Sequence, residues 1–361
     1  TASVEEIRDK FLFYPARTFN KQEPHAKAKA DAGRWRIIFS SPIVMTIVYQ
    51  VVMAWFHKPL MKKWAEGPFK PGMGTDTLED LTRLQDAVRK LFSVAGVAIK
   101  KNVSAWDIST TEVDHVNGYA GYLTAVWKQL DVSRTLINVM RNLVYLSRRQ
   151  FVCNSDGLVF ELKVPRVSAK ITETVAEDCT NTVWSASMLE PAWIQFSGKW
   201  DTSVSNTIMR VLTLEVVHDL LKVGVVKLPL AMGDDAGAAL ELTEALPDDY
   251  SDRVREGYLK LGKLLKFFHC GTDVHDGENP FEFCSHDFVG DSVFFLNIDK
   301  FLYRTFTGLG SPSAERLEEV RRDCVRLISR IRPSEKESAL EFCSLQGITI
   351  SRDEVNSPVY Y

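Results

Sequence analysis

Cysteine is scarce. The 361 residues hold six, none in a Cys-x-x-Cys pair, which excludes a disulfide-stapled scaffold and fits reduced thiols in a cytosolic setting. Charge of one sign is lacking too. Lys and Arg total 44 against 47 Asp and Glu, a net charge of -3, so no whole-molecule attraction draws nucleic acid and any basic surface must be local. No uninterrupted apolar run reaches the ~20 residues a bilayer needs. The longest, residues 43–56, is broken by Thr46 and Gln50, and a buried helix is expected there. Internal repeats and low-complexity tracts are missing, and no secretory signal is visible. The opening Thr1-Ala2-Ser3-Val4-Glu5-Glu6, without Met, suggests a product cut from a polyprotein.

What is present is the make-up of a globular protein: 45% hydrophobic, 25% charged and 11% aromatic residues, which excludes a disordered or collagenous chain. The length suggests two or three substructures around a sizeable core. Residues 77–91 have helical spacing, with Leu81, Leu84 and Val88 on one stripe. Residues 94–99 read as a short buried strand. A helix is expected over 206–223, with Leu212, Val216 and Leu220 inward and Gly224 as its stop. Residues 225–232 and 236–240 read as two strands of a hairpin, although Pro229 is awkward for a central strand. Ser311-Pro312 is expected to open a helix running to about Arg332. Its inner stripe is Leu317, Val320, Cys324, Leu327 and Ile331, with Arg322, Arg326 and Arg330 on the opposite side.

Three polar clusters carry the chemistry. Met232-Gly233-Asp234-Asp235 presents two carboxylates at a strand end, a suitable half-site for Mg²⁺, which takes one or two carboxylates plus phosphate oxygens. Alone it is ordinary turn chemistry. Upstream, Ser197-Gly198-Lys199-Trp200-Asp201-Thr202-Ser203-Val204-Ser205-Asn206 runs into a helix and offers hydroxyls and an amide to a ribose or phosphate. Further upstream, Asn102-Val103-Ser104-Ala105-Trp106-Asp107 follows the buried strand. Two-metal phosphoryl transfer needs acids from separate strands brought together.

In this order the clusters resemble those of viral RNA-dependent RNA polymerases, most of all the sobemovirus, polerovirus and barnavirus group. Lys21-Gln22-Glu23-Pro24-His25 and Gly33-Arg34-Trp35-Arg36-Ile37-Ile38-Phe39-Ser40 resemble the basic fingers motif F. Residues 102–107 resemble motif A, 197–206 motif B and 232–235 motif C. Tyr258-Leu259-Lys260-Leu261-Gly262 with Lys266 resembles motif D, and Phe281-Glu282-Phe283-Cys284-Ser285-His286 resembles motif E. The likeness covers roughly residues 17 to 305 and implies an α+β right-hand polymerase with an antiparallel palm sheet. Fingers would span 1–92, a palm with a fingers insertion 93–300, and a small, mainly helical thumb 301–361. The chain is expected to be trimmed relative to palms preceded by longer fingers.

By the same resemblance, Asp234 and Asp235 are catalytic metal-site carboxylates, completed by Asn102 and the Val103 carbonyl, with Mg²⁺ or Mn²⁺ as cofactor. Asp107, Ser197, Thr202 and Asn206 surround the incoming ribose. Lys29, Arg34 and Arg36 hold the triphosphate. Lys266 is the general acid for departing pyrophosphate, with Lys263 the competing choice. Motif E forms a hairpin supporting the primer end. The implied partners are RNA template and primer, NTPs and other viral replication proteins. The implied place is the host-cell cytoplasm, in a complex held at membranes by partners, without a membrane span of the chain's own.

One departure matters most. The group has an acid where this chain has Asn102, whose neutral carbonyl holds Mg²⁺ poorly and cannot bridge two cations. Weak or absent polymerisation is therefore expected. The rivals are a non-catalytic RNA-binding protein on this fold and another palm enzyme such as a reverse transcriptase; a generic phosphohydrolase ranks last. Trp106 and Trp200 are expected in the core rather than stacked on bases. The spacing of His269, Cys270, His275, Cys284 and His286 lacks the paired pattern of structural zinc sites.

Overall fold

The computed structural model describes residues 16–21, 31, 33, 37–71, 73, 77–94, 97–103, 106–148, 151–153, 157–161, 163–165, 189–191, 193, 195, 200–222, 224–242, 245, 247–271, 281–290, 292–307 and 312–357. In chain order the strands are β1 (Ala16–Asn20), β2 (Ile37–Ser40), β3 (Val97–Val103), β4 (Phe151–Cys153), β5 (Val159–Glu161), β6 (Lys163–Pro165), β7 (Leu189–Pro191), β8 (Gly224–Met232), β9 (Asp235–Leu242), β10 (Leu265–Gly271), β11 (Phe281–Phe283), β12 (His286–Val289) and β13 (Ser292–Phe295). The α-helices are α1 (Ile43–Lys62), α2 (Leu78–Val94), α3 (Trp106–Ser109), α4 (Ala120–Gln129), α5 (Arg134–Arg148), α6 (Thr202–Leu221), α7 (Tyr250–Lys260), α8 (Ile298–Thr307), α9 (Ala314–Ile328), α10 (Pro333–Leu345) and α11 (Arg352–Asn356). A π-helical turn, Val113–Tyr119, leads into α4.

The described residues fall into two compact units. The larger lies within Thr1–Lys21, Arg36–Met73 and Val94–Gly271; the smaller lies within Gln22–Trp35, Gly74–Ser93 and Thr272–Tyr361. The centre of the larger unit is an antiparallel sheet of order β10-β3-β9-β8. One continuous core joins Trp127 and Tyr119 to Ile208 and Val217 of α6, and to Val254 and Tyr258 of α7. A second sheet, β2-β1-β4-β5, contains one parallel pair, β1 with β4.

Two sequence expectations for this unit need correcting. Helix α1 is 20 residues long, yet it is buried on one face only. Met45, Tyr49, Val52 and Met53 enter the core, while Ile43, Ile47, Val51 and Trp55 recur every fourth residue on the exposed side. By length and composition alone α1 could cross a membrane, but its inner face is packed into this unit. Helix α6 begins earlier than the spacing suggested and ends at Leu221, capped by Lys222, whose φ of 53° makes the left-handed cap assigned to Gly224. Its inner face is Ile208, Val211, Leu214 and Val217, whereas Val216 and Leu220 are exposed.

In the smaller unit, α2 buries Leu81, Leu84 and Val88, the stripe its spacing predicts, and Leu91 beside them. Helices α8 to α11 form a second core in which the thiols of Cys324 and Cys343 meet, both fully buried. Ser313, rather than Ser311, caps α9 by accepting the Arg316 N–H, and the helix stops at Ile328. The arginine stripe is not a single face. Arg322 is exposed and Arg326 pairs with Asp323 at 3.2 Å. Arg330 lies beyond the helix end, buried, with its carbonyl accepting the Phe295 N–H at 2.8 Å.

The motif E segment does form a hairpin. Phe283 and His286 pair across a two-residue turn in which Cys284 and Ser285 both have positive φ, 49° and 62°. His286 Nδ1 donates to the Cys284 carbonyl at 2.9 Å. Burial holds the imidazole below its usual pKa of 6.5, and Arg330 pushes the same way against the opposing pull of the Cys284 carbonyl and Asp287. Below pH 6.5 the unfolded chain takes up a proton that the folded one resists, so stability falls on acidification through that value. His286→Asn keeps a donor for Cys284 and removes the titration. Its melting deficit relative to wild type should shrink between pH 7.5 and 5.5; an unchanged deficit would contradict this account.

Candidate active site

The acidic turn is built from its glycine outward. Met232 pairs with Asp235, so Gly233 and Asp234 are the two loop residues, and Gly233 alone carries positive φ (60°), the pattern of a type II′ hairpin. Asp234 is exposed at the tip and Asp235 is half-buried. Pro229 fits because β8 is bulged: the register shifts between Lys227 and Leu230, with Leu228 at a φ of 43°. Across the sheet, Asp235 stands opposite Asn102 of β3. The small buried run Ala236-Gly237-Ala238-Ala239 lets α6 pack closely on β9.

Helix α6 ties itself to this turn. Thr207 Oγ1 accepts the Gly233 N–H at 2.9 Å while donating to the Ser203 carbonyl at 2.7 Å. Thr207→Val keeps the volume and leaves the glycine N–H without this acceptor. A loss of about 1–2 kcal/mol is expected, read as a lower urea midpoint at unchanged slope; an unaltered midpoint would show that the bond contributes nothing net.

Next to the turn lies a polar cluster from three distant segments. Trp106 Nε1 donates to Asn206 Oδ1 at 3.0 Å, and Asn206 Nδ2 faces Asp107 Oδ1 at 3.5 Å. The Asp107 carbonyl accepts the Gln195 N–H at 2.9 Å, and Gln195 Nε2 donates to Ser205 Oγ at 2.7 Å. Thr202 opens α6 and is half-buried. Trp106 is in the core as expected, and Trp200 is half-buried with its ring stacked on His57 at 5.1 Å.

Lys263 is no candidate acid for a substrate. It is fully buried, paired with Asp114 at 2.7 Å, and 4.9 Å from the centre of the Trp106 ring. Burial lowers its pKa from the usual 10.5, against the opposing pull of Asp114, and Arg210 lowers it further. Arg210, also fully buried, lies 4.8 Å from the same ring. Asp114, Arg210, Thr207 and Gln195 drew no attention in the sequence. A charged residue within an apolar helical stretch, as Arg210 is, was the one available signal.

Of the remaining site residues, Val103 is buried at the end of β3 opposite Leu265, and Lys266 follows in β10. Lys29, Arg34, Arg36 and Ser197 lie outside the described residues, as does His275. Among the described residues no three His, Cys, Asp or Glu side chains converge as a metal site.

No protein-family profile matches the chain. Individual relatives do. The replicase polyprotein P2AB of Southern cowpea mosaic virus is 24% identical over 322 residues, covering 89% of this chain and 28% of the relative. Protein P1-P2 of Turnip yellows virus is 27% identical over 335 residues, covering 91% and 27%. The RNA-directed RNA polymerase of Mushroom bacilliform virus is 26% identical over 299 residues, covering 80% and 59%. The chain thus spans 28% of the length of the first of these relatives. Among solved structures, the RNA-dependent RNA polymerase of a human picorbirnavirus superposes with a TM-score of 0.60 at 11% identity, over 94% of this chain and 56% of the other. The chain is a homologue of sobemovirus, polerovirus and barnavirus replicases and has the right-hand fold of viral RNA-dependent RNA polymerases.

Proposed function

We propose that this chain is the polymerase portion of a viral replicase and that its site is laid out for template-directed RNA synthesis, with catalysis limited by Asn102. The supporting observation is that three segments distant in sequence meet in one place. Asn102 stands opposite Asp235, Asp107 meets Asn206, and Thr207 holds Gly233. The reaction is attack of an RNA 3′-hydroxyl on the α-phosphate of an NTP, with pyrophosphate leaving. Asp107 and Asn206 present an acceptor and a donor to the ribose. Lys29, Arg34 and Arg36 neutralise the triphosphate, and Lys266 donates a proton to pyrophosphate. On this reading residues 1–92 serve as fingers, 93–300 as palm and 301–361 as thumb. The chain would work in the cytoplasm, in a complex recruited to membranes by other viral proteins.

The donor set fits one divalent cation better than two. Asp234 and Asp235 offer adjacent hard carboxylates, and the Val103 carbonyl a third oxygen, while Asn102 leaves the position opposite Asp235 uncharged. Mg²⁺ or Mn²⁺ held there would lower the pKa of the attacking hydroxyl and offset phosphate charge. Asn102 also favours a second reading, an RNA-binding protein without turnover. Primer extension by the Asn102→Asp chain on an RNA template decides between them. NTP-dependent extension supports the polymerase. RNA retention without extension supports the binding protein, and a preference for dNTPs would replace both with a reverse transcriptase.

A further inference from the structure

Trp106 immediately precedes Asp107 and is buried. An indole N–H can only donate, so the Asn206 atom it meets at 3.0 Å is the amide oxygen, and the amide cannot be turned round without losing that bond. The amide nitrogen is thereby aimed at Asp107 Oδ1, and an N–H donor lies beside a half-buried carboxylate acceptor. A ribose 2′-hydroxyl both donates and accepts, and suits that pair. A 2′-deoxyribose can make neither of these two hydrogen bonds.

The indole is itself held. Arg210 Cζ lies 4.8 Å and Lys263 Nζ 4.9 Å from its ring centroid, within cation–π range. Lys263 is anchored by Asp114 at 2.7 Å and by the Ser109 carbonyl at 3.3 Å, and Arg210 is held by full burial within α6. Lys263 belongs to the short connection between α7 and β10, three residues before Lys266.

We infer that Trp106 is a positioning residue for sugar selection: its N–H fixes the Asn206 amide, and the Arg210 and Lys263 cations fix its ring, so the α7–β10 connection is tied to the 2′-hydroxyl subsite. This rests on the polymerase reading for the nature of the ligand, a ribonucleoside triphosphate, and adds a residue that touches no substrate.

The test is calorimetric titration of ATP and of 2′-dATP, each with Mn²⁺, into the chain bound to a primed RNA with a templating uridine. Wild type should bind ATP more tightly. Trp106→Phe should reduce the ATP-to-2′-dATP affinity ratio roughly tenfold by weakening ATP while leaving 2′-dATP nearly unchanged. A purely structural role would weaken both alike and keep the ratio. Should the Phe variant fold poorly, 3-benzothienyl-alanine at position 106 keeps the bicyclic ring without the N–H, and the same fall in ratio is expected. An unchanged ratio in a folded variant, or wild type with no ATP preference, overturns the inference. An ATP preference that depends on Trp106, in a chain whose Asn102→Asp form makes no RNA, overturns the polymerase reading and leaves the sugar clamp standing.

Discussion

Asn102→Asp should raise the single-turnover rate of NTP incorporation by about 100- to 1,000-fold over wild type, with RNA affinity little changed. The reason is charge. Removing one preorganised group that stabilises transition-state charge typically costs about 2.7–4 kcal/mol, and each 1.36 kcal/mol is about tenfold in rate. Position 102 stands directly across the sheet from Asp235, so the new carboxylate adds to the acidic end of the hairpin. Without a cation, like charges gathered there repel, and the variant should melt below wild type. Mn²⁺ or Mg²⁺ should then raise its melting temperature more than that of wild type, because binding to the folded state alone stabilises it. Equal rates for the two proteins would show that position 102 takes no part in the chemistry.

The largest effect on stability is expected at Lys263. Its side chain has no exposed surface and its Asp114 partner is only 15% exposed, so removing either one strands a charge. Lys263→Met or Asp114→Asn alone should cost about 3–5 kcal/mol. The double variant should recover a large part of that loss, since a neutral pair of similar volume carries no stranded charge. The pH response separates the two single changes. In Asp114→Asn the ammonium loses the neighbour that opposed its lowered pKa, so it sheds its proton more readily when folded. The unfolded lysine still binds that proton, and the variant should regain stability between pH 7 and 9. Lys263→Met should show no such gain. Urea midpoints across that range measure both, and single losses below about 1 kcal/mol would mean that water reaches the pair.

How much of this was legible in the sequence depends on what made each element. The acidic hairpin was, because Gly-Asp-Asp between two apolar runs forces a tight turn, and only the bulge that accommodates Pro229 needed the structure. Helix α2 was, because it is amphipathic in the ordinary way. Helix α6 was misread for a physical reason. Its first turns carry Ser205, Asn206, Thr207 and Arg210, all buried because they serve the site, so polar spacing no longer marks the solvent side. Lys263 was misread for a similar reason: a lysine beside motif D looks like an acid for pyrophosphate until its partner, 149 positions earlier in the chain, is known. Helix α1 inverts the error, since an almost wholly apolar segment proves to be buried on one face only.

The outer strand of the central sheet has a consequence for how copies of the chain meet. An unpaired strand edge is a template on which another chain can add. On β8 the bulge at Leu228 and Pro229 breaks the regular row of donors, since proline has none to offer. Closer to the acidic turn, the edge is already taken. Ala231 donates to the Pro68 carbonyl at 3.1 Å and accepts the Lys70 N–H at 2.8 Å. Between the kink and this short clasp, little regular edge is left on which a neighbouring copy could dock strand to strand. The acidic tip is open to a small charged ligand, while the end of β8 beside it is closed to strand-on-strand growth.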